Sequence, residues 1–279
     1  MWKVLISWDN VEEASFVGIT ISDAIYLLQT AQKLRKCIFL EVDDGVHDKL
    51  VIKPPMVVNS SITSLHMGLA CMDSLSDFWG RIRCPSLREV TFHYSAQHLA
   101  PFTQFLASSK CSITHLCFVR EDWFNNPDEE REILEFFAAV PTLETLDFQA
   151  GLPSAFFDKI AAEPKFLPLL RSFRYEGGRR LTCPWMSTIK AVDSRLTLEA
   201  NDGQSALRSL TFAPFTSLTS SKFQQFPSGP YLEQATVAHL LRLRDRGVEI
   251  RIQDGARDVI EASRPVIHGI RNGRLCRIN

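Results

Sequence analysis

The chain has 279 residues, of which 45% are hydrophobic and 23% charged, and its formal net charge is −1. This composition suits a globular protein with a sizeable core. It excludes a disordered chain, and also one whose overall field draws nucleic acid or an anionic membrane. The start, MWKVLISWDN, lacks a basic stretch followed by a long apolar one, and no apolar run approaches the roughly 20 residues of a transmembrane helix.

Taken in chain order, one short pattern recurs: apolar, two residues, apolar, one residue, apolar. A weak copy opens the chain as Met1-Val4-Ile6. Well-formed copies follow as Leu34-Cys37-Phe39, Ile62-Leu65-Met67, Leu87-Val90-Phe92, Ile113-Leu116-Phe118, Leu143-Leu146-Phe148, Leu170-Phe173-Tyr175 and Leu207-Leu210-Phe212. Gly247-Ile250-Ile252 is a weak closing copy. The starts lie 33, 28, 25, 26, 30, 27, 37 and 40 residues apart. Leucine-rich repeats run about 20–29 residues, so the middle copies fit and the outer ones carry insertions.

Between these strand motifs the apolar period lengthens to that of a helix. Ala24, Leu27, Leu28 and Ala31 share one stripe, as do Ile133, Phe136, Phe137 and Val140, and Phe102, Phe105 and Leu106 start a third. In NNPDEEREILEFF, Asn126 suits a helix cap, Pro127 the first helical position, and Asp128 to Glu130 the positive end of the helix dipole. The acidic run from Glu121 to Glu135 is accordingly a helix start with a solvated face. VAHLLRLRDRG is a helix stopped by Gly247 and followed by the strand VEIRI. Each unit is thus strand, loop, helix, loop, and only stacked units bury both apolar faces.

The fold expected over residues 1–253 is an α/β leucine-rich-repeat solenoid with irregular repeats, a horseshoe with a parallel concave sheet and convex helices. Leu116, Phe118, Leu146 and Phe148 should be inaccessible. Because Met1 opens directly on a strand motif, the chain is expected to be a fragment of a longer array. Residues 241–279 hold nine arginines and five acids, and residues 254–279 are expected to form a basic, loosely ordered C-terminal tail.

Cysteines stand at 37, 71, 84, 111, 117, 183 and 276. Their number is odd, no CxxC pair occurs, and none joins a histidine at zinc-finger spacing. Neither a disulfide framework nor a structural zinc site is expected, and a reducing compartment, cytoplasm or nucleus, is. No cofactor is expected either. The chain has no GxSxG elbow, P-loop, HExxH or GxGxxG, so no catalytic residue is assigned and the expected protein is not an enzyme. His66, His93 and His115 fall in three successive strand motifs but in different columns. They are taken as polar residues of a sheet face rather than metal ligands or a pH-sensitive patch. Cys117 with His115 or His93 shows no oxyanion site beside it. Trp79, Trp123 and Trp185 are taken as core rather than as a ligand platform.

The segments ISDAIYLLQTAQKLRKCIFLEV, EILEFFAAVPTLETLDF and LRLRDRGVEIRI resemble the repeat region of fungal F-box proteins, over roughly residues 1–253. The resemblance implies the substrate-binding half of a receptor in a cullin–RING ubiquitin ligase. In that family an N-terminal F-box binds a Skp-type adaptor. No LPxE-type F-box motif occurs in this chain, so the adaptor is expected as a partner only if an F-box precedes it. The expected partner is a target protein or peptide on the concave face, with no nucleic acid and no membrane involved. The column between the second and third apolar positions runs Leu5, Ile38, His66, Thr91, Cys117, Asp147, Arg174, Thr211, Arg251. The protein-binding residues expected are His66, Thr91, His93, His115, Asp147, Arg174, Thr211 and Arg251. The alternatives are a non-catalytic scaffold or regulatory repeat protein unrelated to ubiquitin, and an enzyme with an unrecognised site.

Overall fold

The computed structural model describes residues 7–43, 56–70, 75–93, 99–119, 127–149, 153, 155–177, 184–202, 207–214, 232–254, 257–263, 267–271 and 274–278. The first half of the chain forms β1 (Glu13–Phe16), β2 (Ile19–Thr20), α1 (Ile21–Thr30), β3 (Lys36–Asp43), β4 (Val57–Val58), β5 (Ser64–Ala70), α2 (Leu75–Arg81), β6 (Ile82–Arg83), β7 (Glu89–His93), α3 (Leu99–Ser109), β8 (His115–Val119) and α4 (Pro127–Ala138). The second half forms β9 (Thr145–Gln149), α5 (Phe156–Ala162), β10 (Ser172–Gly177), α6 (Trp185–Asp202), β11 (Ser209–Pro214), α7 (Gln234–Asp245), β12 (Glu249–Asp254), β13 (Arg257–Asp258), α8 (Val259–Ser263), β14 (Ile267–Arg271) and β15 (Arg274–Ile278).

The architecture is α/β with a mostly parallel, open sheet. Nine parallel strands, β1, β3, β5, β7, β8, β9, β10, β11 and β12, lie side by side in chain order. The short β13 adds an antiparallel edge, β2 pairs with β3, and β14 and β15 pair as a separate hairpin. Crossovers between parallel strands are right-handed almost without exception, so a sheet that always advances in one direction puts its helices on one face. Ring contacts agree. Phe118 of β8 lies 6.2 Å from Phe136 of α4, and Trp185 of α6 lies 4.9 Å from Phe212 of β11.

Register turns the sequence motif into two buried ladders. One runs Ala14, Cys37, Leu65, Val90, Leu116, Leu146, Phe173, Leu210, Ile250, and the other Phe16, Phe39, Met67, Phe92, Phe118, Phe148, Tyr175, Phe212, Ile252. As expected, Leu116, Phe118, Leu146 and Phe148 are at most 2% exposed. Trp79, on α2, is wholly buried, with the rings of Phe102 and Phe105 each 4.9 Å away. Trp185 packs against the same core from its margin, and Trp123 lies outside the described residues.

A second repeated feature is made of backbone alone. At each step the carbonyl just ahead of one strand accepts two N–H groups of the next unit. Glu12 O takes Arg35 N and Lys36 N, Arg35 O takes Thr63 N and Ser64 N, and Thr63 O takes Arg88 N and Glu89 N, at 2.7–3.0 Å. The same arrangement recurs at the carbonyls of Arg88, Thr114, Glu144 and Arg171, and in the last unit Arg208 O accepts Glu249 N at 2.8 Å. This rung lets strand starts pair where side chains cannot, satisfying groups that would otherwise cost free energy when buried.

The structure corrects the sequence reading at both ends. Unit one is Val11-Ala14-Phe16, whose strand β1 pairs with β3, and Met1, Val4, Leu5 and Ile6 lie outside the described residues. Ser15, not Leu5, is therefore the neighbour of Ile38. At the last unit Gly247 takes φ +85°, its N–H bonds Arg244 O and the N–H of Val248 bonds Leu243 O, so α7 ends as expected. The buried residue there is Val248, because the left-handed turn carries Gly247 out to solvent. Residues 257–263 are also not a loose tail. Val259 and Ile260 are buried, Asp258 Oδ1 accepts the N–H groups of Ile260 and Glu261, and Arg244 pairs with Asp258 at 3.0 Å and Glu261 at 3.2 Å. This turn closes the end of the apolar ladders.

Individual latches hold the units in place. Thr20 Oγ1 accepts the Asp23 N–H at 3.1 Å and caps α1. The buried Asn59 amide donates to Leu28 O at 2.9 Å and Ala31 O at 3.1 Å, while its oxygen accepts Ser61 N and Ile62 N. Arg195, 2% exposed, donates to Pro164 O at 3.0 Å and to Phe166 O. Gly68 faces Leu40 so closely that an added Cβ would stand 2.3 Å from the Leu40 carbonyl oxygen. Among the described residues no helix is long and apolar enough to cross a membrane.

Two stability outcomes follow. Phe148→Ala removes a fully buried ring from the middle of the sheet and should cost about 3–5 kcal/mol in urea or guanidinium unfolding. Asn59→Leu strands the Leu28 carbonyl and two N–H groups, while Ala31 O keeps the Leu34 N–H, and each buried unsatisfied group costs about 1–3 kcal/mol, so it should lower the unfolding midpoint clearly despite its larger apolar surface.

Candidate functional site: the helix-free face of the sheet

Side chains alternate along a strand, so what the ladders do not bury projects from the opposite face. The row through its middle is Ser15, Ile38, His66, Thr91, Cys117, Asp147, Arg174, Thr211, Arg251, one residue per strand. Nearer the strand starts runs a second row containing Lys36, Glu89, His115 and Glu249, and nearer the strand ends a third containing Leu40, Gly68, His93, Val119, Gln149 and Glu176. All eight expected binding residues stand on this face. His66, Thr91, His93, Asp147 and Thr211 are half-buried, and His115, Arg174 and Arg251 are exposed. What sets them apart is the row each occupies.

The face is graded. Its early end is mixed, with the half-buried Ile38 and Leu40, 42% exposed, beside Ser15 and Lys36. Next comes a histidine pair: the His66 and His93 rings lie 6.1 Å apart, and burial lowers the His66 pKa. His115 is not part of it, because its row differs and its Nδ1 sits 2.9 Å from Thr114 Oγ1. Among the described residues no group of three metal-binding side chains converges.

The centre is ionic. Arg174 pairs with Glu176 on its own strand, and its Nε lies 3.9 Å from Asp147 Oδ2 on the next. Asp147 Oδ1 is buried with no hydrogen-bond partner. Burial raises the Asp147 pKa and Glu176 adds to the rise, while Arg174 and a hydrogen bond from Gln149 work against it. Cys117, beside Asp147 in the row, is pushed up to about 12 by burial and by that carboxylate, while Thr91 hydrogen-bonds it. A thiol so placed holds its proton at neutral pH, the reverse of what an activated nucleophile needs. At the far end Arg251 pairs with Glu249 on its own strand.

Sequence reasoning found the middle row because period two marks it. Glu176, Gln149 and Glu249, which hold its charges in place, were missed because they stand in the flanking rows. A further cleft went unnoticed at the edge where the strands begin. Glu12, Lys33, Arg35, Ser60, Ser61, Thr63 and Ser86 line a space of about 400 Å³ there. Most of these flank the first apolar position of a unit: Lys33 and Arg35 bracket Leu34, Ser61 and Thr63 bracket Ile62, and Ser86 precedes Leu87. That offset was the available signal.

By sequence the chain matches no protein-family model and no curated protein.

The raised Asp147 pKa sets a pH dependence. Below its unfolded-state pKa both states hold the proton and the group contributes nothing. As the pH rises through the higher folded-state pKa, the folded state bears the full cost of ionising it. Asp147→Asn should therefore raise the unfolding midpoint at pH 7–8, with the gain shrinking toward pH 4. A midpoint lowered at every pH would show that the Arg174 ion pair outweighs burial.

Proposed function

We propose that this chain is a leucine-rich-repeat horseshoe that recognises a protein or peptide, with its helix-free sheet face as the concave binding surface. The observation that carries the reading is the graded row across nine consecutive parallel strands. Strand spacing of about 4.8 Å makes this row about 38 Å long, enough for an extended segment of about 11 residues. Apolar residues suit one end of such a segment, and the Asp147–Arg174–Glu176 cluster and Arg251 suit a polar or charged end. Stacked-repeat proteins bind extended partners along such faces.

The repeat pattern, its spacing and the resemblance of three segments to fungal F-box proteins support a narrower reading, the substrate-selecting part of a cullin–RING ubiquitin ligase receptor. In that role this chain supplies target choice, and docking to a Skp-type adaptor belongs to an F-box outside the sequence described. Such a receptor works in the cytoplasm or nucleus.

Arg174→Ala and Arg251→Ala together separate binding from folding. The partners of Arg174, Asp147 and Glu176, are largely buried, so its loss should lower the melting temperature, whereas Arg251→Ala breaks an exposed pair worth about 0–1 kcal/mol and should leave melting unmoved. Arginine at an interface hot spot can be worth about 2 kcal/mol or more, so capture of the native partner from cell extract should weaken by tenfold or more. Unchanged capture, with Arg251→Ala equally silent, would move recognition off this face.

A further inference from the structure

We propose that the cleft at the strand-start edge of the first units binds a phosphate group, carried on a phosphorylated side chain of the protein that the sheet face recognises. The source of the phosphate rests on the reading of the chain as a protein-recognition module, and the cleft itself does not.

The charges come first. Arg35 is exposed and has no ion-pair or side-chain hydrogen-bond partner among the described residues. Lys33 is held by Asn10 Oδ1 at 2.7 Å, a neutral partner that fixes its position and leaves its charge uncompensated. Glu12 is the one acid of the lining and forms no ion pair with either cation. Two cations and one acid leave a formal charge of +1.

The hydrogen-bonding inventory has the same sense. Backbone carbonyls that would repel an anion here are already occupied. Glu12 O and Arg35 O each accept two N–H groups of the next unit, and Thr63 Oγ1 also donates to Arg35 O. At the end of α1, Asn59 takes the Leu28 and Ala31 carbonyls, and Ser61 Oγ takes that of Gln32. The hydroxyls of Ser60 and Ser86 have no partner among the described residues and remain as donors. Two cations and two free hydroxyls around one space suit a tetrahedral anion with three terminal oxygens better than a carboxylate with two, and a charge-assisted bond to such an anion is about twice as strong as a neutral one. A volume of about 400 Å³ exceeds what a bare phosphate fills, leaving room for the side chain that bears it.

The test uses the whole chain and four probes: inorganic phosphate, a short glycine–alanine peptide with a central phosphoserine, its unphosphorylated twin, and phosphatidic-acid vesicles. Binding is read by calorimetry or NMR at low salt. The phosphopeptide should bind at least tenfold tighter than its twin, inorganic phosphate should compete with it, and vesicles should not retain the protein. Arg35→Gln should weaken phosphopeptide binding about tenfold, the scale of one charge-assisted contact, with melting unchanged. Glu12→Gln should tighten it, a sign that no merely structural effect would give. Equal binding of the two peptides, or a Glu12→Gln variant that binds more weakly, overturns the proposal. Arg35-dependent vesicle binding replaces it with a lipid headgroup site. Arg174→Ala must leave the phosphate affinity intact, so phosphate binding can stand or fall apart from recognition on the sheet face.

Discussion

Every unit of this chain makes one strand with an apolar face and, in most cases, one helix with an apolar stripe, and no unit can bury both by itself. The strand ladder through Phe39, Phe92, Phe118, Phe148 and Phe212 is 0% exposed because each ring packs against the units before and after it. The backbone rungs, in which one carbonyl holds two N–H groups of the next unit, fix the step between units independently of side chains. Together they dictate the parallel order, the one-sided placement of helices and the open face. Among the described residues the two ends of the array differ. Residues 257–263 cover the last strand with Val259 and Ile260, whereas Val11, Ala14 and Phe16 of the first unit remain only partly buried.

Legibility followed the strength of the apolar signal. Leu143-Leu146-Phe148 and its neighbours were readable because three large apolar residues at fixed offsets rarely occur by chance seven times over. Unit one escaped notice because Ala14 is small and Glu12, Glu13 and Ser15 surround it, so the stronger-looking Met1-Val4-Ile6 took its place. The helix α6 was equally quiet. Its buried side includes Thr188 and Arg195, which break an apolar stripe, and Arg195 is tolerated there because it satisfies carbonyls of the preceding loop. In residues 254–263 charge and turn composition masked two core residues. Arg244, which looks like one more basic residue, is the group that ties Asp258 and Glu261 down.

The site was less legible than the fold for a reason of geometry. Period two assigns a residue to a face, so the eight expected residues were placed on the open side from sequence. It does not say which rows touch. The His66–His93 contact and the Arg174–Glu176 pair each join the middle row to the next, and the edge cleft gathers residues from four units. The histidine contact and the cleft depend on strand register, which is set by the stacking of whole units rather than by any local run of residues.

The division of labour between the two faces has a physical consequence for how the chain can change. Inward positions are tied to ladder neighbours on both sides, and even on the open face Gly68 lies so close to Leu40 that a methyl group has no room. Outward charges lean on each other, Arg174 on the largely buried acids Asp147 and Glu176, and Arg251 on Glu249 in an exposed pair that contributes little to folding. The raised pKa of the Asp147 carboxyl marks it as a cost to the fold rather than a support. Asp147 stands in the middle row between Cys117 and Arg174. Of these two neighbours only Arg174 offsets the cost of burying the Asp147 carboxylate.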